Sequence, residues 1–204
     1  MSQQVGQVEV RRLSGDSVHQ YVDDLARLRI QIFRTYPYLY DGDLDYERRY
    51  LARYLESSES VLVAAFDGER VVGVSTGMPM AESDEDFQRP FKELGYDVGE
   101  IFYLAESVLL PEYRGQGVGV KFFEEREAHV RELEAFRFTC FAAVVRPPDH
   151  PRRPEGWQPL DAFWRKRGYD RQPQIRTMMR WKEIDTVEEV PEVMEIWLKD
   201  LDSE

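Results

Sequence analysis

The segment Arg114-Gly-Gln-Gly-Val-Gly119 has the composition of a ligand-binding turn. It lies between an apolar run typical of a buried strand and an amphipathic pattern typical of a helix. Glycines tolerate positive φ and carry no Cβ that would keep a ligand away from the backbone. Successive main-chain N–H groups at a helix N-terminus form an anion site, and Arg114 adds a positive charge at its entrance. The segment predicts a phosphate or pyrophosphate site; the alternative is a tight turn that packs helix on sheet and binds nothing.

Two nucleotide-binding motifs fit this turn poorly. A P-loop requires Lys-Ser/Thr after the last glycine, whereas Val120 follows Gly119 here. A dinucleotide fingerprint requires Gly-x-Gly-x-x-Gly and an acidic residue that ends the next strand, but the expected strand ends at Val145. We therefore do not expect an NTP-binding protein, and we rank an NAD(P)-dependent oxidoreductase below the functions described next.

Composition excludes several other classes of protein. The 204-residue chain carries a formal charge of −12, which disfavours nucleic acid and anionic membrane surfaces as partners. No apolar run approaches the roughly 20 residues that span a bilayer, and the N-terminus lacks a signal-peptide pattern. The one cysteine, Cys140, lies in an apolar run, which indicates a buried thiol in a reducing cytoplasm. His19, His129 and His150 lack metal-ligand spacing, so we predict no metal site.

The periodicity of the chain predicts a mixed α+β fold. We expect an apolar run at Ile101–Leu110 to form one continuous central strand, followed by the glycine turn and a helix to Leu133. Around this unit we expect, in chain order, a strand at Val8–Leu13, a helix from Asp16, a helix at Asp45–Leu55, a hairpin of Ser60–Phe66 and Arg70–Gly77, a helix at Asp84–Leu94, a strand at Phe136–Val145, a short helix at Leu160–Arg167 and a strand at Ile175–Trp181.

The organisation predicted from this order is one domain over residues 1–182 with a C-terminal segment over 183–204. Met194, Trp197 and Leu198 stand at helical spacing in that acidic segment. The spacing predicts a helix that either docks on the same domain or forms a homodimer contact.

Two motifs resemble those of a known superfamily. Arg114-x-x-Gly117-x-Gly119, placed after Ser107-Val-Leu-Leu-Pro111, resembles the acyl-CoA motif of the GNAT N-acetyltransferases. Phe163-Trp-Arg-Lys-Arg-Gly-Tyr169 resembles the Phe-Tyr-x-Lys-x-Gly-Phe/Tyr segment of that superfamily. The order of elements resembles the family from about Val8 to Trp181. The resemblance implies a single domain with a central twisted mixed sheet of about six to seven strands, flanked by helices.

The resemblance also implies acetyl-CoA as co-substrate. The main-chain N–H groups of Gly115, Gln116, Gly117, Val118, Gly119 and Val120 would hold its pyrophosphate, and Arg114 would add a charge at the entrance. Val108 and Leu109 would pair with the pantetheine arm as another strand does, and an N–H near Leu109 would stabilise the oxyanion. The implied reaction transfers an acetyl group to a primary amine of a small-molecule or amino-acid-like acceptor. The alternative is a non-catalytic acyl-CoA-binding or sensing module.

The catalytic groups are carried over residue by residue. Glu106 is the first candidate for the base that takes a proton from the amine, and Tyr103 and Glu100 are the reserves. The alternative for Glu106 is a recognition group or an ordinary polar residue at a strand bulge. Trp164 stands where many family members carry the tyrosine that protonates the thiolate, and Trp157 stands where an asparagine is frequent. The thiolate would then leave unassisted or take a proton from water.

An acceptor pocket is expected from three segments that join the elements: Tyr36–Asp43, Asp84–Leu94 and Arg146–Trp157. Tyrosines together with Asp41 and Asp43 suit a primary amine with an apolar body, and the alternative is an aromatic loop that packs on the sheet.

The basic pair Arg152 and Arg153 has two interpretations. The two side chains either meet the 3′-phosphate of coenzyme A or form a solvated surface pair.

Overall fold

The computed structural model describes residues 8–14 and 16–203, with Asp16 and Ser203 described by their backbone only. Contacts divide the chain into two compact units, each built from three separate segments. The first unit takes the described residues of Met1–Ile32 together with Asp43–Met78 and Leu104–Glu134; the second takes Phe33–Gly42, Pro79–Tyr103 and the described residues from Ala135 onward.

The first unit contains an antiparallel sheet in the order β1-β2-β3-β5. Its strands are β1 (Glu9–Leu13), β2 (Val61–Asp67), β3 (Arg70–Pro79) and β5 (Ser107–Leu109). Its helices are α1 (Asp16–Phe33), α2 (Leu44–Glu56) and α4 (Val118–Leu133). The predicted hairpin is confirmed, since Asp67 faces Arg70 across the turn.

Local sequence explains where these helices begin and which face they bury. The side chain of Asp43 accepts a hydrogen bond from the main-chain N–H of Tyr46 at 2.8 Å and so caps α2. In α4, Val118, Phe122 and Val130 are buried, as their spacing predicts.

The central strand is not continuous, so that prediction is wrong. β4 ends at Tyr103, and β5 begins at Ser107. Between them, Ala105 N donates to Thr76 O at 3.1 Å, and Thr76 N donates to Glu106 O at 3.1 Å. Two residues therefore oppose one, which is a β-bulge. An apolar run has the same composition on both sides of a bulge, so hydrophobicity alone does not reveal the break.

The second unit contains a mixed sheet in the order β4-β6-β8-β7. Its strands are β4 (Ile101–Tyr103), β6 (Phe138–Val144), β7 (Asp170–Lys182) and β8 (Glu189–Asp200), and its helices are α3 (Glu85–Glu93) and α5 (Asp161–Arg165). β4 and β6 are parallel, and α4 lies between them in the chain, which confirms the predicted strand–turn–helix–strand unit. Cys140 lies buried in β6, as predicted.

The C-terminal segment is a strand rather than the predicted acidic helix. β8 lies between β6 and β7, and Met194–Lys199 is a continuous buried run. A central strand is covered on both faces, so the spacing of its apolar residues does not separate strand from helix. Pro191 does not separate the two either, because proline is tolerated in the first turn of a helix and is disfavoured inside a central strand. β7 and β8 pair with each other on the two sides of position 183; the predicted division into domains and the homodimer remain predictions.

No helix among residues 8–14 and 16–203 is both long and apolar enough to cross a membrane.

Candidate active site

The glycine turn connects β5 to α4 through two residues in the left-handed region. Gly115 has φ 76° and Gly117 has φ 82°, and Gly117 is the residue before the first turn of α4. No atom lies within 4 Å of a Cβ built on either glycine, so the space in front of the turn is open. The positive φ requires glycine here, while packing does not.

The main-chain N–H groups of the turn are available to a ligand. Within the described chain, the N–H groups of residues 115–119 have no hydrogen-bond acceptor. The N–H of Val120 donates to Gly117 O at 3.0 Å, so Val120, although predicted to bind the pyrophosphate, already has a partner. Unpaired N–H groups at the positive end of a helix dipole fit a diphosphate in number and charge.

β5 offers one open edge beside this turn. It pairs with β3 in a register that sets Val74 opposite Val108 and Gly73 opposite Leu109. Leu110 N donates to Val72 O at 2.9 Å, and hydrogen-bonded pairs alternate in an antiparallel ladder. The main-chain groups of Leu109 therefore point away from β3, whereas those of Val108 point toward it. Of the two predicted pantetheine partners, only Leu109 has its main chain at the open edge.

Arg114 lies across the beginning of this edge. Its Nε and one terminal nitrogen lie 3.4 Å and 3.3 Å from the carbonyl oxygen of Leu109, at the long limit of a hydrogen bond. The side chain thus has a weak intramolecular partner, and its charge stays beside the turn as predicted.

The carboxylate of Glu106 lies in a buried network of charged and phenolic groups. Arg29 forms an ion pair with Glu106 Oε1, and its Nε donates to Glu47 Oε2 at 2.5 Å. The hydroxyl of Tyr50 donates to Glu106 Oε2 at 2.8 Å and lies 2.9 Å from the hydroxyl of Tyr54. The side chains of Arg29, Glu47 and Glu106 are 7%, 0% and 6% exposed.

One guanidinium therefore faces two buried carboxylates, and the ring of Tyr50 covers it at 4.2 Å. Burial alone would lower the pKa of Arg29, but the neighbouring carboxylates of Glu106 and Glu47 hold this pKa well above its ordinary value. Burial, with the charge of Glu106, also raises the pKa of the Tyr54 phenol above its usual range. Both groups therefore keep their protons at any physiological pH.

The β-bulge that carries Glu106 is held by a second buried arginine. The guanidinium of Arg126 donates to the carbonyl oxygens of Phe122, Thr76 and Glu106 at 3.1, 3.2 and 3.3 Å. The hydroxyl of Ser75 also donates to Glu106 O at 3.0 Å. The oxygens of Thr76 and Glu106 already accept main-chain N–H groups across the bulge, so Arg126 and Ser75 add second donors that hold the bulge in place.

The other predicted catalytic residues lie in the second unit. Tyr103 is buried on β4, and its ring lies 4.9 Å from that of Phe87. Glu100 is exposed at the end of a short 3₁₀ turn. Trp164 contacts the rings of Phe141 and Trp197, so it packs in an aromatic cluster.

Two of the three predicted acceptor segments meet in the second unit. The ring of Tyr36 lies 5.0 Å from that of Trp157 and 5.6 Å from that of His150. Arg146 donates to the carbonyl oxygens of Pro37 and Tyr38 at 2.7 and 3.1 Å.

The third segment, α3, contacts the sheet instead, because Thr177 on β7 donates to Asp86 O at 2.6 Å.

Arg152 pairs with Asp185, and Arg153 stacks on Trp157 at 5.2 Å, so neither arginine is a purely solvated side chain. In the described residues, no group of three or more His, Cys, Asp or Glu side chains is arranged to hold a metal ion.

Comparison with known proteins identifies the family. The model of the Acetyltransferase (GNAT) family matches residues 24–154. An uncharacterized N-acetyltransferase of Archaeoglobus fulgidus is 30% identical over 156 residues, which cover 72% of this chain and 95% of the relative. The chain belongs to the GNAT acetyltransferase family. Its reaction class is therefore acetyl transfer.

Solved structures show the same fold at low sequence identity. NAA60 of Arabidopsis thaliana in complex with acetyl-CoA aligns with a TM-score of 0.62 at 13% identity, over 96% of this chain and 99% of that one. The ribosomal-protein-alanine N-acetyltransferase of Brucella melitensis aligns with a TM-score of 0.61 at 13% identity, over 95% and 99%. The predicted mixed α+β GNAT fold is confirmed.

Sequence reasoning missed the partners of Glu106. Arg29 and Glu47 are charged residues within the buried stripes of α1 and α2, each four positions from a leucine that is 0% exposed, Leu25 and Leu51. A charge at such a position is almost never buried without a partner. That rule was the available signal, but it does not say which distant residue the partner is.

Proposed function

We propose that this acetyltransferase moves the acetyl group of acetyl-CoA to a primary amine of a small-molecule or amino-acid-like acceptor. The observation that carries the proposal is the row of unpaired N–H groups at residues 115–119, beside the open edge of β5 at Leu109. The N–H groups of Gly115, Gln116, Gly117, Val118 and Gly119 would hold the pyrophosphate, with Arg114 adding charge beside them. The main chain of Leu109 would pair with an amide of the pantetheine arm.

The acetyl carbonyl would then lie near the N–H of Leu109, which points away from β3. A preorganised N–H at this position stabilises the negative charge that develops on oxygen when the amine attacks. The new bond joins the amine nitrogen to the acetyl carbon, and the bond to sulfur breaks. The thiolate takes its proton from water, because Trp164 packs among aromatic rings and its indole is not an acid.

The aromatic cluster of Tyr36, His150 and Trp157 supports an acceptor with an apolar body. These half-buried rings present both apolar faces and polar edges, and such rings commonly line small-molecule sites. We also propose a cytoplasmic reaction, on the prediction from the single buried thiol.

Ligand-induced stabilisation tests the proposal. At about 100 times its dissociation constant, acetyl-CoA should raise the free energy of unfolding by about 2.7 kcal/mol, whereas ATP and NAD at the same concentration should not. Differential scanning fluorimetry measures the shift. Thiol release from acetyl-CoA, followed with a panel of primary amines, then separates an enzyme from a sensing module. Stabilisation without turnover would favour the sensor, and no stabilisation would contradict the proposed site.

A further inference from the structure

Arg126 is a buried arginine of α4 that joins this helix to the β-bulge. The residue is 2% exposed, and its guanidinium lies over the ring of Phe123 at 4.9 Å. Its Nε donates to Phe122 O within the helix, and one terminal nitrogen donates both to Thr76 O at 3.2 Å and to Glu106 O at 3.3 Å. Thr76 belongs to β3, and Glu106 is part of the bulge that leads into β5. One nitrogen atom therefore ties α4 to both of these strands.

The same face of α4 packs closely on β3 and β5 one turn earlier. Phe122 and Arg126 are four positions apart, so their side chains lie on one face of the helix. A Cβ built on Gly73 of β3 would lie 2.9 Å from Phe122 Cζ and 2.8 Å from Leu109 Cδ1, so no larger residue fits there. Hydrophobic packing is non-directional, whereas hydrogen bonds have a defined direction. Phe122 thus sets how closely α4 approaches the strands, and Arg126 sets its position along them.

The position of α4 is important because the proposed site for coenzyme A has two parts on different elements. The N–H groups of residues 115–119 lie at the beginning of α4, whereas the open edge at Leu109 belongs to β5. The turn leads directly into the helix that carries Arg126, and Glu106 leads directly into the strand that carries Leu109. Helix and paired strand are each hydrogen-bonded along their length, so each moves as a unit. The bond between Arg126 and Glu106 O therefore relates one part of the site to the other.

We propose that Arg126 is a positioning residue that holds α4 on the bulge and so sets the spacing between the two main-chain sites for coenzyme A, the turn at residues 115–119 and the edge of β5 at Leu109. This inference rests on the proposed function. A ligand held at two places gains affinity from the second only when both can be occupied at once. The acetyl carbonyl reaches the N–H of Leu109 only at the correct spacing, and a displacement of about 1 Å can lower the rate by about 100-fold.

Two ligands measure this spacing: coenzyme A, and adenosine 3′-phosphate 5′-diphosphate, which has the same diphosphate but no pantetheine arm. The ratio of their dissociation constants, from isothermal titration, is the gain in affinity from the arm. Arg126→Met should bind the diphosphate fragment within about threefold of wild type, because the turn itself is unchanged. Its gain from the arm should be smaller by about tenfold or more. With acetyl-CoA and a panel of primary amines, kcat should fall by about 100-fold.

Arg12→Met is the matched control. Arg12 on β1 also joins α4 to the sheet through two bonds, to Glu125 at 3.1 Å and to Glu132 at 2.6 Å, but with access to solvent. This variant should keep the gain from the arm within about twofold. Arg126→Lys should recover most of the lost kcat, because one ammonium group can donate to both carbonyl oxygens. Melting curves followed by circular dichroism establish that each variant is folded.

Gly73→Ala changes the same spacing without altering Arg126, and it carries the test if Arg126→Met does not fold. The added methyl group would meet the side chains of Leu109 and Phe122 and should move α4 away from β5. The expected result is again an unchanged affinity for the diphosphate fragment and a reduced gain from the arm. An unchanged gain in this variant would contradict the role given to the spacing.

The outcomes separate the two claims. Wild type that binds neither ligand, or binds the two equally, contradicts the proposed site for coenzyme A and this inference with it. Wild type that binds both as expected, while Arg126→Met keeps the whole gain from the arm, contradicts the inference alone. Equal losses of affinity for both ligands in Arg126→Met also contradict it, because the arginine would then only support the fold. A loss of the gain in Arg12→Met as large as that in Arg126→Met would show that Arg126 has no special role.

Discussion

The candidate site in the first unit has two parts, one formed by main-chain groups and the other by side chains. The glycine turn at residues 114–119 offers main-chain N–H groups in open space, and its side chains contribute little. The network of Arg29, Glu47, Tyr50 and Glu106 is made of side chains from α1, α2 and the β-bulge, and it is nearly closed to solvent. The turn suits a charged ligand without burying a charged side chain, whereas the network buries three charged side chains. Substitutions in the turn should therefore matter only where a side chain fills the space in front of the N–H groups. In the network, by contrast, replacing a side chain should have a large effect.

The largest effect on stability is expected at Arg29. Arg29→Met leaves the carboxylates of Glu47 and Glu106 buried without their cation and should cost about 3–5 kcal/mol of unfolding free energy. Chemical denaturation followed by circular dichroism measures it. Arg48→Met is the control, because Arg48 also pairs with two carboxylates, Asp23 and Asp45, but at the surface. It should change the midpoint little. Equal losses in the two variants would contradict the role given to burial.

The smallest effect on stability is expected at Asp41 in the second unit, where the charges are arranged in the reverse way to those around Arg29. One carboxylate there faces two cations, Lys182 at 2.8 Å and Arg34 at 2.7 Å, with solvent access. Hydrogen bonds from Lys182 and Arg34 hold the pKa of Asp41 below its usual value. A lowered carboxyl pKa contributes stability above the unfolded pKa of about 3.9, and this is lost as pH falls through the folded pKa.

Asp41→Asn should therefore lower the melting temperature slightly at pH 7 and less in high salt. The difference from wild type should begin to shrink as the pH falls below about 3.9 and should be lost as it falls through the lower folded pKa. Melting temperatures at several pH values test this. A difference that does not shrink at all as the pH is lowered would show that Asp41 stabilises the loop by something other than its charge.

The same contrast explains what the sequence could predict. The glycine turn is local: residues 114–119 carry the spacing, the preceding strand and the following helix within one stretch of chain. The network joins positions 29, 47, 50 and 106, which no local pattern relates. Glu106 was predicted as a candidate base from the family resemblance alone, and its partners required the fold.

The two errors of fold have a related cause. The bulge at Ala105–Glu106 and the strand β8 both lie in nearly continuous apolar runs. In such runs the spacing of apolar residues does not distinguish a helix from a strand or show where a strand is interrupted. Pro191 is unfavourable in a helix interior and in a central strand alike, whereas the polar pair Glu106-Ser107 inside the apolar run Ile101–Leu110 was a local sign of the bulge.

The central claim is that coenzyme A binds the main chain of the turn, and isothermal titration of Gly117→Glu with coenzyme A tests it most directly. A glutamate at position 117 fills the space in front of the N–H groups and brings negative charge to the phosphates, so we expect a loss of about 3 kcal/mol or more in affinity. Gly68→Glu is the matched control for backbone strain: Gly68 has φ 60° in the β2–β3 turn, with open space around it. It should bind normally, and Arg114→Ala should lose less than Gly117→Glu, because a solvent-screened charge contributes little. If folded Gly117→Glu binds coenzyme A as wild type does while Arg114→Ala abolishes binding, the main-chain site is wrong.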